Sequence, residues 1–130
     1  FRTDRNASLA RRLGQIASDI GDILARFEPG TVAVEKLYAH YRHPVTAILM
    51  GHARGVILME AARHGAQVRE FAATRIKKSL TGNGHAGKPQ MQRAIQSTLA
   101  LAEAPEPADV ADAIAVALCC VNEEIRKLEV

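Results

Sequence analysis

Two aspartates open the last helical segment of the chain. Asp109 and Asp112 lie in "ADVADAIAVALCC", residues 108–120, in which every other residue is apolar. Residues three apart lie on one face of a helix, so the two carboxylates are neighbours. The apolar surroundings predict a helix buried nearly all round, where two like charges are costly unless a cation compensates them. A divalent metal ion would supply that compensation.

An ordinary structural role is the alternative for this pair. In that interpretation Asp109 caps the helix and Asp112 is a first-turn acid at the protein surface. The helix dipole stabilises an anion there by about 0.3 to 1 kcal/mol. The two residues alone therefore do not establish a metal site.

A third carboxylate favours the metal site. Glu35 ends the run "TVAVE", residues 31–35, which follows Pro29 and Gly30 and predicts a short strand buried on both faces. The carboxyl ends of strands are where α/β sheets collect their ligands. Acids from a strand end and a helix start are the ligands needed for two-metal phosphodiester cleavage, in which one Mg²⁺ activates water and the other stabilises the leaving oxygen.

Charge is distributed unevenly along the chain, although the net charge is only +3. Residues 63–93 carry seven cations and one acid, whereas residues 102–130 carry seven acids and two cations. A basic segment of this kind suits a polyanion such as a nucleic-acid backbone. Two ordinary solvated faces are the alternative.

The elements that must position these residues alternate between helix and strand. Periodicity and turn residues predict helices over 7–27, 45–63, 72–80, 89–101 and 108–128, strands over 31–35 and 67–71, and a flexible glycine-rich loop at "TGNGHAGKP". Thr3, Asp4 and Asn6 are candidate caps for the first helix. This order indicates one α/β domain over residues 1–130 with two parallel strands, which is a small sheet on its own.

Two further features bear on where the protein works. His52 and Arg54 interrupt the apolar run of the 45–63 helix, so we expect no membrane span. Cys119 and Cys120 are adjacent and lack the spacing of metal ligands, which predicts buried reduced thiols. Together these features predict a cytoplasmic protein.

Four segments carry a family resemblance: "VAVEKLY", "GHARGVILMEAA", "EFAATRIKKSLTGNGHAGKPQMQ" and "ADVADAIAVAL". In this order and spacing the chain resembles the RuvC-type Holliday junction resolvases, whose ribonuclease H-like domain cuts four-way DNA junctions with Mg²⁺. The resemblance implies an α/β, ribonuclease H-like fold, two Mg²⁺ ions per site with Mn²⁺ as a substitute, and branch-migration motor proteins as partners. It also implies a homodimer through the 45–63 helix that makes paired symmetric nicks.

The resemblance assigns roles to six residues by position. Three of the family's four metal-binding carboxylates correspond to Glu35, Asp109 and Asp112. The two basic residues near the scissile phosphate correspond to Lys77 and Lys88, and the aromatic residue that meets the junction corresponds to Tyr38. From charge alone the two lysines are simply two of seven cations, and Tyr38 is a packing residue after a strand.

The chain departs from the family pattern at its start. The family begins with a strand carrying Asp-Pro-Gly, followed by two more strands, whereas this sequence starts at Phe1. We therefore expect the first three strands of the sheet, and the fourth carboxylate, to be largely absent, and Asp4 cannot replace that carboxylate because it belongs to a capping stretch. Two other functions stay open: a non-catalytic module that binds branched DNA, and a helical oligomerisation domain with surface acids.

Overall fold

The structure is a computed structural model that describes residues 2–37 and 43–130. Its elements are, in chain order, α1 (Leu9–Phe27), β1 (Thr31–Glu35), α2 (Pro44–Arg63), β2 (Gln67–Phe71), α3 (Ala73–Thr81), α4 (Lys88–Leu99) and α5 (Ala108–Leu128). Every predicted helix and strand is present, with ends that differ by at most two residues. The α/β class predicted from the sequence is confirmed.

The two strands form one parallel sheet. The Gln67 N–H donates to the Gly30 carbonyl and the Lys36 N–H donates to the Phe71 carbonyl, each at 2.9 Å. The prediction that β1 is buried on both faces is wrong, because its central residues are only half-buried and Glu35 is exposed. In the described residues the sheet has two strands, so much of each strand stays accessible to solvent.

The first helix begins at a different cap from those predicted. Ser8 is the N-cap, and its Oγ accepts a hydrogen bond from the Arg11 N–H at 3.3 Å. Asp4 instead accepts from the Asn6 N–H at 2.9 Å, within the turn before the helix. The sequence offers several capping residues in a row, and only the one directly before the first helical turn can reach its N–H groups.

The chain divides into two compact units. One consists of Phe1–Val32 and Leu37–Val68, and in it α1 packs against α2. Glu60 of α2 is buried there at 4% exposure, and its carboxylate is 3.0 Å from Nη1 of Arg63. Gly21 of α1 leaves room for this carboxylate, since a Cβ on Gly21 would be 3.3 Å from Glu60 Oε2.

The other unit consists of Ala33–Lys36 and Arg69–Val130. In it α3, α4 and α5 pack together around a core that includes Phe71, Ile76, Ile95, Ala111, Ala115, Val116, Cys119 and Cys120. Small residues on α5 allow the helices to approach closely. Both cysteines are buried free thiols, as predicted, and burial raises the pKa of Cys119.

Helix α5 is not buried nearly all round, which corrects the prediction. One face packs in the core, whereas Val110, Val121, Ile125 and Leu128 are exposed. Asp109 and Asp112 are exposed as well. Apolar residues occur on every side of α5, so its composition alone does not show which face is buried.

Helix α2 exposes several large apolar side chains to solvent. Five large side chains on it are 40–70% exposed: Val45, Ile48, Leu49, Met50 and Met59. By length and composition alone α2 is long and apolar enough to cross a membrane, a criterion that core helices of other proteins also meet, so the prediction of no membrane span stays untested. An exposed apolar face of this size is also typical of a protein interface.

Candidate active site

An open cavity of about 330 Å³ lies at the carboxyl end of β1. All of the residues that line it belong to one compact unit, and they come from β1, α3, the segment just before α4, α4 itself and the first half of α5. Its apolar lining includes Ile76, Ile95 and Ala111, which are also buried core residues. Four charged residues complete it: Glu35, Lys77, Lys88 and Asp112.

The charge of one carboxylate in the cavity affects the other. Partial burial raises the pKa of Glu35, the negative charge of Asp112 raises it further, and the positive charge of Lys77 lowers it. Glu35 ends β1, and Asp112 lies in the second turn of α5. The strand end and the helix start therefore bring two acids together, as the sequence predicts.

The two lysines reach the cavity from different helices. Lys77 is half-buried in the middle of α3, one position after the core residue Ile76. Lys88 is exposed at the first position of α4. They flank the carboxylates with the positive charge that a phosphodiester backbone requires.

The segment between α3 and α4, which the sequence predicts to be a flexible glycine-rich loop, contains defined turns. Gly82 adopts a left-handed conformation with φ 78°, and its N–H donates to the Lys78 carbonyl at 2.9 Å. Asn83 Oδ1 accepts from the His85 N–H at 2.9 Å, and Ala86 is buried. These hydrogen bonds position the start of α4, and with it Lys88.

Asp109 lies in the first turn of α5 but does not line the cavity. It does not cap the helix either, because the N-cap is Pro107. Within residues 2–37 and 43–130, no three His, Cys, Asp or Glu side chains are grouped closely enough to hold a metal ion. Tyr38 lies outside the described residues. Of the six predicted site residues, the structure brings four together.

The carboxylate pair suits a hard cation. Mg²⁺ is usually held by one or two carboxylates, with water and substrate phosphates completing its shell. Glu35 and Asp112 are such a pair, and their mutual repulsion is the kind that a bound cation relieves. The donors present therefore fit a single divalent ion.

An ion-pair cluster near the end of α5 was not predicted. Glu123 forms salt bridges with Arg69, at 2.8 Å, and with Arg75, while Glu124 pairs with Arg69 and Lys127. The Arg69 guanidinium also stacks over the Phe71 ring at 5.2 Å. The only signal in the sequence was the pair of consecutive glutamates near its end, together with the basic segment earlier in the chain. Spacing cannot assign ion pairs between residues so far apart in the sequence.

Comparison with known proteins gives a consistent result. The family described as "Crossover junction endodeoxyribonuclease RuvC" matches residues 1–120. A protein of that description from Rhodopirellula baltica is 47% identical over 119 residues, which cover 92% of this chain and 67% of the relative. Another from Heliobacterium modesticaldum is 46% identical over 121 residues, which cover 93% of this chain and 74% of the relative.

Two solved structures are similar in fold. The Thermus thermophilus RuvC structure has a TM-score of 0.90 and 32% identity, and the match covers 98% of this chain and 76% of that one. The T. thermophilus RuvC in complex with Holliday junction substrate has a TM-score of 0.88 and 29% identity, with coverage of 97% and 76%. The predicted ribonuclease H-like fold of RuvC type is thereby confirmed.

Proposed function

The chain belongs to the RuvC family of crossover junction endodeoxyribonucleases, and on this premise we propose that its cavity cleaves the DNA strands of a four-way junction. The observation that carries the proposal is the meeting of Glu35 and Asp112 with Lys77 and Lys88 around one cavity. Carboxylates bind divalent cations and lysines bind phosphate oxygens. One cavity thus holds both groups that metal-assisted phosphodiester hydrolysis requires.

We assign roles to the cavity residues accordingly. Glu35 and Asp112 would hold the divalent cation in the cavity, whereas a ligand role for Asp109, which does not line the cavity, stays a prediction from the resemblance. When bound, a divalent ion held there would activate a water or stabilise the leaving oxygen; a second Mg²⁺ ion, or Mn²⁺ in its place, stays a prediction from the resemblance. Lys77 and Lys88 hold the phosphate and oppose the negative charge that develops on it. The apolar residues of the lining lower the polarity beside these groups and thereby strengthen their interactions.

The exposed apolar face of α2 supports a second copy of the chain as a partner. Val45, Ile48, Leu49 and Met59 recur at helical spacing and are exposed together on that helix. Burying them in a two-fold dimer would give one active site for each of two opposed strands, which produces symmetric nicks. We place this dimer in the cytoplasm. A branch-migration motor as a further partner stays a prediction from the resemblance.

Cleavage of a synthetic junction tests the proposal. A four-way junction labelled on each strand, incubated with the full chain and Mg²⁺, should be nicked at paired positions on two opposed strands. A linear duplex made from one arm should stay intact, and Glu35→Gln should abolish nicking while leaving junction binding within about twofold. Nicking that persists in Glu35→Gln, or that is equal on duplex and junction, contradicts the proposal.

One observation favours a second candidate function. The described residues contain no cluster of three potential metal ligands, since Asp109 does not reach the cavity. A module that binds branched DNA without cutting it needs only the basic residues. Tight junction binding with no nicking in Mg²⁺ or Mn²⁺ would establish this alternative.

A further inference from the structure

A second cavity lies in the same compact unit as the first, where the carboxyl-terminal parts of α3 and α5 meet. Its volume is about 350 Å³, and it is lined by Arg75, Lys78, Ser79, Gly82, Glu123 and Arg126. None of these residues lines the first cavity. The roles assigned to the active site therefore leave this cluster unexplained.

The second cavity has an excess of positive charge. Its lining acid, Glu123, is engaged by both Arg69 and Arg75. Lys78 and Arg126 are exposed, and neither takes part in an ion pair among the residues that the structure describes. Two cations thus face a concave surface whose carboxylate is already neutralised.

Helix dipoles explain only part of this arrangement. Lys78 lies in the last turn of α3 and Arg126 in the last turn of α5, where cations are favoured by about 0.3 to 1 kcal/mol. The Lys78 carbonyl already accepts the Gly82 N–H, and Ser79 Oγ accepts from Asn122 Nδ2 at 3.0 Å. A dipole attracts each cation to its own helix end, but it does not require two of them around one shared cavity.

The helices that form the second cavity also form the first. Lys77 and Lys78 are consecutive on α3, and the first lines one cavity while the second lines the other. Along α5, Asp112 and Arg126 are separated by a rise of about 21 Å at 1.5 Å per residue. An arm of about six base pairs covers that distance, since each base pair advances about 3.4 Å. One duplex could therefore contact both cavities.

We propose that the second cavity binds a backbone phosphate on the junction arm that leads away from the cleaved bond, with Lys78 and Arg126 as its contacts. This inference rests on the proposed function, because it takes the junction as the substrate. Both side chains are flexible cations beside a hydroxyl and an exposed glycine backbone, which suits a sequence-independent phosphate contact. The second site would fix the direction of the arm and leave the chemistry to the first.

The test is the salt dependence of junction binding by the variant Lys78→Gln/Arg126→Gln in the full chain. Loss of two phosphate contacts should weaken binding about tenfold or more at 0.1 M salt and reduce the slope of log K against log salt by about 1.8. The control Arg5→Gln/Arg11→Gln removes the same charge outside the cavity and should reduce the slope by less than about 0.5. Thermal unfolding of both variants shows whether the substitutions alter the fold.

A slope and affinity equal to those of the control overturn the inference. If the melting temperature of the double variant is lowered, the single variants Lys78→Gln and Arg126→Gln decide, and each should reduce the slope by about 0.9. Nicking rates at saturating chain should be unchanged in the cavity variant. If the unsubstituted chain binds the junction without nicking it, the proposed cleavage fails, whereas a reduced salt slope still supports the second phosphate site.

Discussion

Glu35 and Asp112 line the same cavity although they lie far apart in the sequence, one at the end of β1 and the other in the second turn of α5. Partial burial raises the pKa of Glu35, and the charge of Asp112 raises it further. The fold therefore brings two like charges to one cavity, although both residues are exposed to solvent. Such a pair is expected where a cation is to be bound.

Replacing Asp112 should weaken metal binding without lowering the stability of the metal-free chain. In Asp112→Asn the like charge is gone, so we expect the metal-free chain to be as stable as before or more stable by less than about 1 kcal/mol. The stabilisation that Mg²⁺ gives to the unsubstituted chain should be reduced, because a ligand is lost. Urea unfolding with and without Mg²⁺ measures both quantities. Asp22→Asn on α1 is the control, and equal Mg²⁺ effects in the two variants would argue against the site.

The pH dependence of Glu35 gives a second prediction. Because its folded-state pKa is raised, the folded chain holds that proton more tightly than the unfolded chain, so Glu35 lowers stability as pH rises from the ordinary glutamate value to the raised one. In Asp112→Asn the pKa of Glu35 should fall but stay above its ordinary value, since burial persists. Titration of the Glu35 carboxyl carbon by NMR measures the pKa directly. An unchanged pKa would show that the two carboxylates do not interact.

The lysines of the cavity should affect cleavage more than binding. Lys77→Gln or Lys88→Gln removes a charge beside the reacting phosphate, so the single-turnover nicking rate should fall about 100-fold. Junction affinity should fall about tenfold or less, because one phosphate contact is lost. Arg93→Gln, on the exposed surface of α4, should change neither quantity by more than about threefold. Equal losses in all three variants would show that Lys77 and Lys88 contribute only general surface charge.

The dimer makes a prediction about a single exposed residue. Ile48 is 61% exposed on α2, so Ile48→Glu should not disturb the core. In a dimer through α2 it would place two like charges in an apolar interface, and we expect dissociation to monomers in sedimentation experiments. Leu99→Glu, at a residue 43% exposed on α4, is the control and should leave the mass unchanged. A chain that is monomeric before substitution would contradict this interface.

Local patterns predicted the elements and part of the site. The strand "QVREF" and the helix from Ala108 to Leu128 occur with the bounds that periodicity and turn residues indicated. Glu35 was identified because an acid at the end of a strand has no packing role, and the structure places it in a cavity. These inferences depend only on neighbours in sequence, which is why they succeeded.

Contacts between residues that are distant in sequence could not be predicted from local patterns. Asp109 and Asp112 look equivalent in sequence, yet only Asp112 lines the cavity, because much of its lining comes from β1, α3 and α4, which lie elsewhere in the sequence. The burial of α5 was overestimated, since alanine and valine do not distinguish a core face from an exposed one. The pairing of Arg69 with Glu123 and Glu124 depends on the packing of β2 against α5, which no spacing encodes.

Locating a bound ion tests the central claim, that the Glu35 and Asp112 cavity is the divalent-cation site, more directly than any activity measurement. Mn²⁺ broadens NMR signals of nearby nuclei, so substoichiometric Mn²⁺ added to the labelled full chain should broaden Glu35, Lys77 and Asp112 first, and Asp112→Asn should lose that effect. Broadening centred elsewhere, for example on Glu123 and Glu124, or broadening that persists unchanged in Asp112→Asn, would contradict the account.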